Sequence, residues 1–106
     1  MITPEQVESA LFFIRDHAKQ AGKLAGAIKE AEARRKASMA IAFLQAQGTV
    51  AEREARSRTD PSVISAYSEY CDSVAEYETL KLQIKASEML IEVWRSENSN
   101  RRAGIL

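Results

Sequence analysis

The side chains that could do chemistry are few and scattered. His17 is the single histidine and Cys71 the single cysteine. His17 sits among Asp16, Ala18 and Lys19, with no cysteine or second histidine nearby to complete a zinc site. A surface or partly packed helix histidine is expected there. Cys71 lies between Tyr70 and Val74 with nothing basic beside it to stabilise a thiolate, so a buried structural thiol is expected. Glu88 and Glu92, four apart, would share a helix face, and Glu76 and Glu78 are near neighbours. Acid–base or metal work needs His or Asp groups converging on such pairs, and none can be named. There is no Gly-rich phosphate loop, nucleophile elbow or zinc spacing. The expectation is a binding and assembly protein, not an enzyme, with no catalytic residue, metal or cofactor.

The residues with a use in binding are cations. Arg34-Arg35-Lys36 are consecutive, and Lys29 precedes them by one to two turns. On a helix three consecutive side chains fan over about 200°, so at least two can face one ligand. Arg and Lys neutralise phosphates, and nucleic-acid affinity rises with the number of such contacts. Arg53, Arg56 and Arg58 form a second basic edge beyond Gly48. A turn at Gly48 that folds the following helix back would let both edges meet one strand. The plainer reading is a solvated helix face, salted with Glu30, Glu32, Glu52 and Glu54. Tyr67, Tyr70, Tyr77 and Trp94 could stack bases, but their heptad spacing argues for a packed seam.

Helices must position these residues. Thr3-Pro4-Glu5-Gln6 combines an N-cap, a proline at the first helical position and a capping box. It opens a first helix over 3–21, with Val7, Ala10, Leu11, Ile14 and Ala18 at helical spacing. Gly22 and Gly26 mark a stop or a soft point. An Ala-rich basic helix over 23–47 ends at Gly48, and its alanines let another helix approach closely. Thr49-Val50-Ala51-Glu52 is a second capping box, for a short charged helix over 49–58. Asp60-Pro61 starts the last helix, 61–97, which contains neither Gly nor Pro beyond its first residue. Val63, Tyr67, Tyr70, Val74 and Tyr77, then Leu80, Ile84, Ser87, Ile91 and Trp94, recur at three and four. Asn98-Ser99-Asn100 is expected to break it, leaving a basic tail over 98–106. The expected fold is all-α: an elongated helical hairpin or bundle with a long C-terminal coiled-coil-like helix. A seam that long needs covering, so a homo-oligomer is expected, through Tyr70, Val74, Tyr77, Ile84, Ile91 and Trp94.

Composition sets the outer bounds. The chain has 106 residues, 45% hydrophobic and 28% charged, with a formal net charge of zero. That suits a single helical domain. The balance hides a polarity: residues 15–58 carry ten basic and five acidic groups, net +5, and residues 60–97 carry three and eight, net −5. Such polarity fits a polyanionic partner or head-to-tail contact between copies. A lone cysteine makes no intrachain disulfide. No apolar run approaches the ~20 residues that cross a bilayer, and Met1-Ile2-Thr3-Pro4-Glu5 lacks the look of a signal peptide. No membrane partner and a cytoplasmic location are expected.

The order of these features resembles a phage family, the UvsY-like recombination mediators. The resemblance runs from Ile28 to about Arg102. It rests on Ile28-Lys29-Glu30-Ala31-Glu32-Ala33-Arg34-Arg35-Lys36, a helix ending at Gly48, and a long helix closing with Arg95-Ser96. It implies an all-helical protein that forms rings through its C-terminal helix, binds single-stranded DNA, and helps a recombinase replace a single-strand-binding protein. Arg34, Arg35 and Lys36 would face the DNA, in a host cell's cytoplasm if the gene is a phage's. The family has further basic residues before the glycine turn, where this chain has Ala40 and Ala42. An alternative function of another class is a small helical adaptor or inhibitor that binds a protein and no DNA, for example a phage antagonist of a host factor. Its acidic helix would then dock onto a basic surface.

Overall fold

The computed structural model describes residues 1–104. Ile105 and Leu106, the end of the expected basic tail, lie outside the described residues. The chain is all-α: α1 (Pro4–Gln45), α2 (Val50–Thr59) and α3 (Pro61–Arg102). It divides into two compact units. Unit 1, Met1–Gly22 with Glu78–Leu106, is a helical hairpin built from the start of α1 and the end of α3. Unit 2, Lys23–Tyr77, is a bundle of the rest of α1, α2 and the start of α3.

Local capping chemistry sets most helix ends. At the start of α1 the bonds are reciprocal: Thr3 N–H donates to Gln6 Oε1 (2.8 Å) and Gln6 N–H to Thr3 Oγ1 (3.2 Å). After α1 the chain turns at Gly48, whose φ of +117° favours glycine. A Cβ there would also collide with the Glu52 side chain. Thr49 Oγ1 then accepts from Glu52 N–H (3.2 Å) and opens α2.

Asp60 closes one helix and opens the next. Its N–H donates to Ser57 O (3.4 Å), and its carbonyl accepts from Val63 and Ile64 N–H (3.0 Å each). Its Oδ1 accepts from Ser62 Oγ (2.6 Å) and Ser62 N–H (2.9 Å). The Ser62 hydroxyl, then the Ser62 N–H, hold this carboxyl below its ordinary range. A group lowered in the folded state stabilises above its unfolded value, about 3.9, and that contribution is lost as pH falls through the folded value. The stability gap between wild type and Asp60→Asn is therefore expected to be largest at neutral pH and to shrink in acid. Thermal melts from pH 7 down to 3 check it, and a gap that stays constant with pH contradicts it.

Two boundaries differ from the sequence expectation. The helices expected over 3–21 and 23–47 are one helix, unbroken at Gly22 and Gly26. Each glycine costs ~1 kcal/mol relative to alanine, but Ala, Lys and Leu flank both and favour the helix. Neither serves a close approach, since an added Cβ would meet nothing within 4 Å. Asn98-Ser99-Asn100 does not end α3, which runs on to Arg102. Asn and Ser are only mildly unfavourable in helices. Arg101 and Arg102 complement the dipole in the last turn, and the chain leaves the helix at Gly104, φ +75°.

The buried core is small and made mostly of small side chains. In unit 1 it is Val7, Ala10 and Leu80; in unit 2 it is Ala31, Ala42, Val63, Ala66 and the polar Ser57. Ser57 satisfies its hydroxyl by donating to Glu54 O (2.8 Å). The N-terminus of unit 1 is tied down by Ile2 N–H donating to Glu97 Oε2 (3.2 Å). His17 is half-buried: Nδ1–H donates to Phe13 O (2.9 Å) and its ring stacks on Phe13 at 4.1 Å. That is a packing role. Cys71, expected to be buried, is exposed. Ala66 takes the inward position instead, and Tyr67, one residue and about 100° further round, is 55% exposed.

Candidate nucleic-acid interface

The seven cations singled out in the sequence all lie in unit 2, but they are not equivalent. Lys29 and Arg56 are exposed and line neither of the two grooves described below. Arg34 is exposed, with Nε 3.8 Å from Glu69 Oε2, a loose surface pair of little energetic weight. Arg53 is committed to the fold. Its Nε donates to Phe43 O (3.2 Å), one of the unpaired carbonyls at the end of α1, and its guanidinium lies 4.3 Å over the Phe43 ring. It fastens α2 to α1 and is poorly placed to serve a ligand.

Arg35, Lys36 and Arg58 are brought together. Lys36 and Arg58 line a groove of about 550 Å³ between α1 and α2, over an apolar floor of Met39, Phe43 and Leu44. Arg35 and Arg58 line a second groove of about 180 Å³ with Val63, Ile64 and Tyr67. Met39 and Arg58 belong to both. Arg58 has no ion-pair partner among the described residues. Lys36 holds Glu32 Oε1 at 3.4 Å, an i,i+4 pair that a stronger anion can displace. Glu54 is the one acid lining either groove. Arg35 is half-buried, with its guanidinium 5.7 Å from the Tyr70 ring centroid. Its Nε is buried without an acceptor among the described residues.

The arrangement pairs positive charge with exposed apolar and aromatic surface: Leu44 is 72% exposed and Tyr67 55%. It offers charge-assisted hydrogen bonds to an anion and a flat ring to an apolar or aromatic group. Sequence spacing already puts Met39 and Phe43 of this apolar floor on one helix face. Lys36, Met39, Ala40 and Phe43 fall at i, i+3, i+4 and i+7 along α1. Ala40 lines the groove and Ala42 is buried. A basic side chain at position 42 would have to be buried, so packing disfavours one at that place.

The residues expected to form the subunit seam are half-buried within the single chain: Tyr70, Val74 and Tyr77 in unit 2, and Ile84, Ile91 and Trp94 in unit 1. A different stripe on α3 in unit 1 faces solvent. Leu82 is 62%, Met89 59% and Val93 49% exposed, and with exposed Ala86 they recur at four, three and four. Among the described residues no helix is long and apolar enough to cross a membrane, and no group of three or more potential metal ligands occurs. Comparison of the chain with protein-family models, curated proteins and solved structures finds no match.

Proposed function

We propose that this chain is a single-stranded DNA-binding accessory factor that works as an assembly of copies, with the recombination-mediator role of the family it resembles. The observation that carries the reading is the pair of grooves sharing Met39 and Arg58, where Arg35, Lys36 and Arg58 rim an apolar and aromatic floor. Phosphates would sit on the rim cations. Unstacked bases, which a duplex cannot offer, would lie against the exposed Tyr67 ring. Two or three phosphate contacts per copy bind weakly, and copies joined in one assembly would multiply them. A recombinase and a single-strand-binding protein are the partners such a factor would work beside.

The exposed Leu82–Met89–Val93 stripe supports self-association, because a regular apolar stripe on a helix is the kind of surface that pairs with another helix. The same stripe favours a second reading, a helical adaptor whose partner is another protein and which binds no DNA. Fluorescence anisotropy with labelled single-stranded and duplex oligonucleotides at low salt separates the two. The proposal expects binding with preference for the single strand. No binding of either strand form rejects it in favour of the adaptor.

A further inference from the structure

A third cationic groove lies in unit 1, at the end of α3, and the function proposed above makes no use of it. Trp94, Arg95, Asn98, Arg101 and Arg102 line about 380 Å³. Counted from Trp94 they fall at one, four, seven and eight residues, which keeps them along one side of the helix. The acids nearby are occupied. Glu92 Oε1 holds Arg95 Nη1 at 3.0 Å, and Glu97 Oε2 accepts from Ile2 N–H at 3.2 Å. Arg101 Nη2 lies 2.8 Å from Met1 Sδ, a weak acceptor. Neither Arg101 nor Arg102 has a carboxylate partner among the described residues. Trp94 is half-buried, so packing holds the indole while part of it faces the groove.

We propose that this groove is a second contact for single-stranded nucleic acid, with a base against Trp94 and the adjoining phosphates on Arg101 and Arg102. Charge complementarity selects the occupant: the two guanidiniums of Arg101 and Arg102, without carboxylate partners, beside an indole suit a ligand that alternates anions with flat rings. Asn98 adds an amide that can both donate to and accept from a base edge. The inference rests on the reading that the chain binds single strands, but not on the grooves of unit 2.

Trp94 is the only tryptophan, so its emission reports this end of α3 and not the grooves of unit 2. The full chain is titrated with a labelled oligo-dT, following label anisotropy for overall binding and Trp94 emission for this site. Trp94 emission should fall by roughly a third or more at saturation, as expected of a stacked indole. An abasic oligonucleotide of equal charge should bind with little quenching. The Arg101→Ala/Arg102→Ala variant should bind about fivefold more weakly and lose most of the quenching. Both arginines are exposed in the last turn, and alanine keeps the helix. Lys36→Ala/Arg58→Ala should still quench once saturated. Binding seen by anisotropy with unchanged Trp94 emission overturns this site and leaves the proposed function standing. Quenching undiminished in the arginine variant also overturns it. No binding by either readout at low salt rejects the proposed function and this site with it.

Discussion

Alanine at both Lys36 and Arg58 is expected to weaken single-stranded oligonucleotide binding about thirtyfold at low salt, with helix content almost unchanged. The two side chains come from α1 and α2 and line the same groove. Each would supply a charge-assisted contact to a phosphate, worth ~1 kcal/mol at an exposed site. Losing two gives ~2 kcal/mol, which is the thirtyfold change. The fold should tolerate the double change. Alanine is the best helix former, Arg58 has no ion-pair partner among the described residues, and the Lys36–Glu32 pair is worth only ~0.2–0.5 kcal/mol. Arg53→Ala is the contrasting variant. Its side chain bonds Phe43 O and covers the Phe43 ring, so its removal should cost ~1–2 kcal/mol of stability and change oligonucleotide affinity little. Anisotropy titrations beside urea unfolding separate the two kinds of effect. A pattern in which Arg53→Ala weakens binding most and the double variant least contradicts the assignment of the groove.

If copies associate as proposed, glutamate at Met89 and Val93 together is expected to reduce the proposed assembly to single chains, as read by light scattering, without lowering the helical signal. Both side chains face solvent in the single chain, so the fold loses little packing. Burying the exposed half of each against a second helix contributes ~1–1.5 kcal/mol, and a carboxylate in its place would have to be desolvated. Ile91→Ala acts at another level. Ile91 is half-buried within unit 1, so the truncation should destabilise the fold itself, by ~1–3 kcal/mol. If Ile91→Ala dissolves the assembly at full helicity while the glutamates leave it intact, the subunit contact lies on the Ile84–Ile91–Trp94 side. A wild-type chain that scatters as a monomer at tens of micromolar removes the assembly and its avidity, and leaves each groove to bind alone.

Helix starts and the Gly48 turn were legible in the sequence because capping depends on residues within three positions of each other. Thr3 with Gln6, Thr49 with Glu52 and Asp60 with Pro61 are all such short-range signals. What the sequence hid depended on sums or on distant partners. Gly22 and Gly26 look like breaks one at a time, but their cost is small beside that of the formers around them. The inward face of α3 was obscured by side-chain size. Tyr67 fits the heptad spacing as well as Ala66 does, yet close helix packing takes the alanine in and leaves Tyr67 and Cys71 outside. Of the seven cations, the list was readable and the division of labour was not. Arg53 is spent on a carbonyl and a ring that lie ten residues away across the turn, and Arg58 meets Lys36 only because Gly48 reverses the chain.

Phosphate binding at the unit 2 grooves is tested most directly by how oligonucleotide affinity depends on salt. For a single strand the logarithm of affinity falls against the logarithm of salt with a slope of about 0.7 per phosphate neutralised. The wild-type chain should show a steep line, and Lys36→Ala/Arg58→Ala a line shallower by about 1.4, the share of two contacts. A flat wild-type line, or equal slopes for the two proteins, would contradict phosphate binding by Lys36 and Arg58.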